Sequence, residues 1–238
     1  HLNNEEKMRL QDLIQIFIAE KSWLGCNGLE LTDEIRVMIA AHACLMILAL
    51  PNDCYRNVES IYVYPTTIFP PESPIGFFEV RTTPVQGAMP TLGEAHHRGP
   101  VILVWDVVKK ETRHPEHGHN VVYHEFAHKL DMLDDSADGT PLLTTPEEYQ
   151  RWDEVCSKEY LELCSKVENG KPTFFDSYAA TDEAEFFAVV TEYFFCKPEN
   201  MKHHHPKLYQ VLQDFYRQDP AQKVFTNQLL KTEPESIY

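Results

Sequence analysis

Val121-Val122-Tyr123-His124-Glu125-Phe126-Ala127-His128-Lys129-Leu130 is the stretch from which the rest of the chain is best read. Its apolar residues recur at helical spacing. Val122, Phe126, Leu130 and Leu133 form one stripe, which predicts a helix lying against a core. The stretch also spells H-E-x-x-H. Residues four apart on a helix share a face, so His124 and His128 can offer imidazole nitrogens to one ion. Glu125 follows at the next position, near that ion but tilted away from it. A zinc hydrolase needs this arrangement of two ligands and a general base on one rigid element. The alternative is a surface helix with two solvated histidines, in a chain with 12 of them. The apolar stripe argues against it.

Such a site needs a third protein ligand and an open corner for water. Asp134 stands ten residues past His124, as in H-E-x-x-H-x-x-G-x-x-H/D proteins. That pattern turns the chain on a glycine, and here Asp131 occupies the glycine position. Glu185 is the second candidate. It lies in Asp182-Glu183-Ala184-Glu185-Phe186-Phe187-Ala188-Val189-Val190, which predicts a buried second helix. A carboxylate at the start of a buried helix is costly without a cation or hydrogen-bond donors. Asp182 and Glu185 could instead form a capping box, which explains the spacing without a metal. Glu185 as ligand would complete a His-His-Glu set. Asp131, one turn past His128, and Glu192, two turns past Glu185, could each orient an imidazole or simply be solvated acids.

At these residues the chain resembles a known family. His124 to Asp131, together with Asp176-Ser177-Tyr178-Ala179-Ala180-Thr181-Asp182 and the run through Phe195, is similar to the Mlc titration factor A family of bacterial zinc peptidases. Gly99 to Trp105 and Phe215-Tyr216-Arg217-Gln218-Asp219-Pro220 fit as well. The match runs from about residue 10 to about residue 225. The two long motifs also resemble the catalytic domain of anthrax lethal factor. The resemblance implies one zinc ion on His124, His128 and Glu185, with Glu125 as base and Tyr178 as a transition-state helper. It implies a gluzincin-type, aminopeptidase-like activity on peptides and the binding of a glucose repressor of the Mlc type. The other reading is a non-catalytic, metal-stabilised protein that sequesters a transcriptional repressor. Read from the residues alone, Tyr178 is a loop tyrosine seven residues before Glu185.

Composition agrees with an enzyme of this kind. The 238 residues, 43% hydrophobic and 24% charged, are enough for one globular domain over 1–238 with a sizeable core. Residues 1–60 read as a helical N-terminal part and 221–238 as a loosely held polar tail. A net charge of −16 disfavours contact with a phosphate backbone, so direct nucleic-acid binding is not expected. The six cysteines form no C-x-x-C pair and read as reduced thiols of a cytoplasmic protein. Val37 to Leu50, interrupted by His42, is too short to span a bilayer, and no signal peptide opens the chain. His42 reads as a satisfied core histidine.

The elements predicted are helices over 5–22 and 33–49, then strands over 62–64, 76–81 and 100–107. Helices follow over 120–133, 146–167, 182–196 and 205–217. The fold class expected is α+β and zincin-like, a mixed sheet packed against the two metal-bearing helices. Residues 100–105 could be a sheet edge that holds substrate as an added strand, or an interior strand. His203-His204-His205 reads as an exposed loop, His114, His117 and His119 as a polar loop that could instead line the cleft, and Asn120 as a helix N-cap.

Overall fold

The computed structural model describes residues 2–51, 53–66 and 99–222. The architecture is α+β: a small sheet covered by helices, which dominate the described residues. Helix α1 (Asn4–Glu20) opens on a full capping box, in which Asn3 and Glu6 satisfy each other's backbone N–H. Strand β1 (Ser22–Gly25), helix α2 (Asp33–Met46), strand β2 (Ser60–Tyr64) and strand β3 (Val101–Val104) follow. The strands run parallel in the order β1-β2-β3, with Ser22 opposite Ser60 and Ile61 opposite Val101. Alternate residues of β2 and β3 are buried; Ile61, Val63, Val101 and Leu103 form the sheet's core face.

One expected strand is shorter in the structure. The strand expected over 100–107 ends at Val104, and Trp105 starts helix α3 (Trp105–Arg113), which buries Trp105 and Val108. The expected strand over 76–81 lies outside the described residues, among which the sheet is parallel where a mixed one was expected. Among the described residues β3 pairs with β2 alone, so it forms one edge of the sheet.

The remaining helices are α4 (Val121–Asp131), α5 (Pro146–Glu168), α6 (Glu183–Cys196), α7 (Pro198–His204) and α8 (Pro206–Tyr216). The triple histidine is not a loop. His203 and His204 end α7, and His205 is the residue between α7 and α8, its Nδ1 2.7 Å from Glu159. Pro198 and Pro206 each occupy the first turn of their helices, where a missing N–H costs nothing. His42 bonds the Met38 carbonyl through Nδ1 at 2.8 Å and packs edge-on against Tyr123, as a satisfied histidine should.

Helix α4 sits at the centre, packed on α6, α2 and β3. Val122, Phe126 and Leu130 of its stripe are inaccessible, and Leu133, in the turn after the helix, is partly buried. Phe126 meets Tyr55 and Phe17 with ring centroids 4.8 and 5.7 Å apart, tying α4 to the N-terminal helices. Helix α6 buries every residue from Phe186 to Phe194, as its apolar circumference predicted. The α4–α6 pair therefore forms a rigid core unit.

Candidate metal centre

The start of α4 is unusually well satisfied. Asn120 is the N-cap, and its Oδ1 accepts from the Val122 and Tyr123 N–H groups at 3.1 Å each. Glu111 of α3 accepts the Val121 N–H at 2.6 Å, and Glu192 of α6 accepts the Asn120 N–H at 2.5 Å. Two carboxylates at a helix N-terminus also oppose the positive end of its dipole. Gly118 precedes this turn at φ 85°, where a Cβ would meet the Tyr193 ring at 3.1 Å and the Lys197 stem at 2.9 Å. Only glycine fits both the space and the left-handed backbone.

Helix α6 is started by Asp182, whose Oδ1 accepts the Glu185 N–H at 2.8 Å. The N-cap half of the anticipated capping box is therefore present. The Glu185 carboxylate does not complete the box, because it turns to the histidines of α4. Its Oε2 lies 3.0 Å from His124 Nε2 and 3.5 Å from His128 Nε2, and the two Nε2 atoms are 3.2 Å apart. Asp134, the other candidate, is exposed and accepts from the Ser136 N–H and hydroxyl instead. The helix ends in a 3-10 turn over Met132–Asp134 that carries this side chain away from the site.

These three separations decide whether an ion fits. Donors about 2.0–2.1 Å from one tetrahedral ion stand roughly 3.3 Å apart. Three acceptor atoms at 3.0, 3.2 and 3.5 Å match that spacing. Glu192 also fixes which imidazole nitrogen is free. Its Oε1 accepts the His124 Nδ1–H at 2.8 Å, which leaves the Nε2 lone pair aimed at Glu185 and His128. Glu185 Oε2 is buried and receives no aligned donor, and His128 Nδ1 is also buried without a partner. Two imidazole nitrogens and a carboxylate oxygen converging on one point are a donor set suited to a cation. The trio His124, His128 and Glu185 can hold a metal ion. Burial alone would raise the Glu185 carboxyl; the adjacent imidazoles of His124 and His128 outweigh it and hold the carboxyl below its ordinary range.

Glu125 is half-buried next to the trio, on the same turn of α4. One turn on, buried Lys129 donates from Nζ to the Gly99 carbonyl at 2.9 Å, fastening α4 to the approach of β3. Tyr178 lies on the 3-10 turn Ser177–Ala180, capped by Asp176, whose Oδ1 accepts the Tyr178 N–H at 2.8 Å. The Tyr178 hydroxyl donates to Glu185 Oε1 at 3.0 Å, so the phenol reaches the edge of the trio.

Glu192 and Asp131 part company. Glu192 is fully buried and holds His124 directly, whereas Asp131 Oδ2 accepts the Gly139 N–H at 3.1 Å and Oδ1 is buried without a partner. His119 is a residue that sequence reasoning left in a polar loop. Its ring stands between two carboxylates, Nε2 3.8 Å from Asp176 and Nδ1 4.0 Å from Glu192. It thus connects the cap of the Tyr178 turn to the acid that orients His124. Glu111 was missed too, and no local signal in α3 marks it.

Comparison with known proteins agrees with this geometry. The model of the family described as glucose-regulated metallo-peptidase M90 matches residues 1–217. An uncharacterized protein of Synechocystis sp. is 40% identical over 222 residues, covering 92% of this chain and 79% of the relative. The Mlc titration factor A of Klebsiella pneumoniae strain 342 is 32% identical over 235 residues, covering 96% of this chain and 85% of the relative. That of Serratia proteamaculans is 31% identical, with 94% and 84% covered. With a family model spanning most of its length and a metal-capable H-E-x-x-H helix at its centre, the chain belongs to the glucose-regulated metallopeptidase family M90.

Proposed function

We propose that this protein is a zinc-dependent, gluzincin-type peptidase that hydrolyses peptide bonds, with an aminopeptidase-like preference. The convergence of His124 Nε2, His128 Nε2 and Glu185 Oε2 beside Glu125 carries this reading. Two neutral imidazoles and one carboxylate are the donor set of catalytic zinc, and three ligands leave a corner open. When bound, zinc supplies Lewis acidity, polarising a carbonyl and making water acidic near neutral pH. Glu125 takes the proton from the attacking water and passes it to the leaving amine. Tyr178 gives up its hydrogen bond to Glu185 and donates to the oxygen that becomes negative in the transition state. Glu192 keeps His124 in the tautomer that leaves Nε2 free. Edge strand β3 is a place for substrate backbone to add as a strand.

Zinc-reconstituted protein assayed with aminoacyl and oligopeptide chromogenic substrates tests this reading. Turnover should be present in the wild type and lost in Glu125→Gln at equal zinc content. Equal turnover in both would remove the base from Glu125.

We propose a second role on the strength of the relatives named Mlc titration factor A, at 31–32% identity. Their name points to capture of the Mlc repressor, and a repressor of that type is the partner proposed here. An acidic body of net charge −16 suits a basic protein surface and not DNA itself. All six cysteines are free, which supports a reducing, cytoplasmic location. No helix among the described residues is long and apolar enough to cross a membrane. Repressor capture by Glu125→Gln protein would separate the two roles.

A further inference from the structure

A cavity of about 500 Å³ opens away from the metal trio, and none of its lining residues belongs to that trio. Leu130 and Leu133, from the end of α4, line it together with Leu142, Leu143, Trp152 and Phe215. Its size falls within the range of small-molecule sites, roughly 300–1,000 Å³. Apart from Thr144 and its charged residues, the lining is apolar. The Trp152 indole N–H is already bonded to the Gly139 carbonyl at 3.1 Å, and burial pushes the Cys54 thiol up to about 11, so it stays neutral. Polar groups along the body of a ligand would be buried there unpaired.

The rim is charged, but nearly all of it is spoken for. Arg56 pairs with Asp53 at 3.7 Å and Arg151 with Asp214 at 2.6 Å. The Glu148 carboxylate accepts the Thr144 and Thr145 N–H groups at 2.7 and 3.1 Å. Arg217 alone on this rim has no hydrogen bond or ion pair with a described residue. It also sits at φ 53°, ψ 36°, the left-handed C-cap of α8, where glycine is the cheap residue. At this strained position the chain places a guanidinium that is unpaired among the described residues at a largely apolar cavity.

We propose that this cavity binds a medium-chain fatty carboxylate, its chain against the leucines and Trp152 and its carboxylate on Arg217. A body of net charge −16 repels anions at long range, so the headgroup needs that local guanidinium. The site is independent of the peptidase reading and requires no metal.

Decanoate, below its micelle concentration, is the probe for the full chain, read by calorimetry and tryptophan fluorescence. Saturable binding with one site per chain and a change in emission from Trp152 are expected. Arg217→Gly keeps the left-handed turn without strain and so keeps the fold; it should weaken decanoate about tenfold, the size of one charge-assisted hydrogen bond. Decanol should bind the wild type about tenfold more weakly than decanoate. Leu142→Glu, at the exposed lip, should weaken both. Equal binding of decanoate to wild type and Arg217→Gly overturns the proposal, as does decanol binding as well as decanoate. Self-association that Leu142→Glu abolishes, with no decanoate bound, gives the cavity to a second copy and also overturns it.

Discussion

The carboxylate of Glu192 and the imidazole of His124 meet at 2.8 Å across the α4–α6 contact, 68 residues apart in sequence. The pair is fully buried, and Glu192 also accepts the Asn120 N–H that starts α4. One side chain thus caps the H-E-x-x-H helix and fixes the tautomer of its first histidine. Glu192→Gln retains shape but offers an amide N–H or a weaker acceptor to Nδ1. Metal affinity, measured by competition with a chelator, should fall about 10- to 100-fold. Unchanged affinity would show that His124 needs no such anchor.

Tyr178 is partly buried against the core and also placed by a cap and a hydrogen bond, so removing its hydroxyl alone leaves the ring packing and the fold in place. Tyr178→Phe should retain metal and KM but lose roughly a hundredfold in kcat, as expected for one transition-state donor. A change in KM alone would assign the phenol to substrate binding.

His119 should act through its neighbours. His119→Gln is expected to lower metal affinity severalfold and reduce kcat, with stability nearly unchanged, because the ring is about a quarter exposed. Loss of stability without any change in metal affinity would make the residue purely structural.

Gly139 joins α4 and α6, the two helices of the candidate metal site. Its N–H goes to Asp131 at the end of α4, and its φ is 76°, with the carbonyl oxygen of Glu183 where a Cβ would project. Gly139→Ala should cost about 3 kcal/mol in urea unfolding, from left-handed strain plus overpacking. A loss under about 0.5 kcal/mol would mean that the turn relaxes freely.

Burial raises the Asp131 carboxyl to about 6, against the Gly139 N–H bond and the charge of His128. The sign follows from proton counting: between pH 4 and 6 the folded state holds the proton that the unfolded state has lost, so stability falls as pH rises. In chelator-treated protein, Asp131→Asn removes this dependence. Its stability relative to wild type should rise by about 2–3 kcal/mol from pH 4 to pH 7. A pH-independent difference would place the Asp131 pKa near that of the unfolded chain.

Much of the site could be read from sequence because it is periodic. His124 and His128 share a face by spacing, and the Val122–Phe126–Leu130 stripe says which other face is buried. Glu185 could be singled out because an acid in so apolar a helix needs a reason. Glu192 was visible only as one of two acids in register, since choosing between it and Asp131 requires the α4–α6 crossing. Strand β1 was missed because its four residues alternate between exposed and half-buried, leaving no apolar signal. Helix α3 was missed because it continues from β3 with no side-chain cap at Val104. His119 gave no signal, as its partners lie 57 and 73 residues away in sequence.

The most direct measurement is an anomalous difference map from crystals of the zinc-loaded protein. One peak within about 2.0–2.2 Å of His124 Nε2, His128 Nε2 and a Glu185 oxygen is the predicted result, with solvent at the fourth position. A peak elsewhere, or a fourth protein side chain closing that position, would contradict the account.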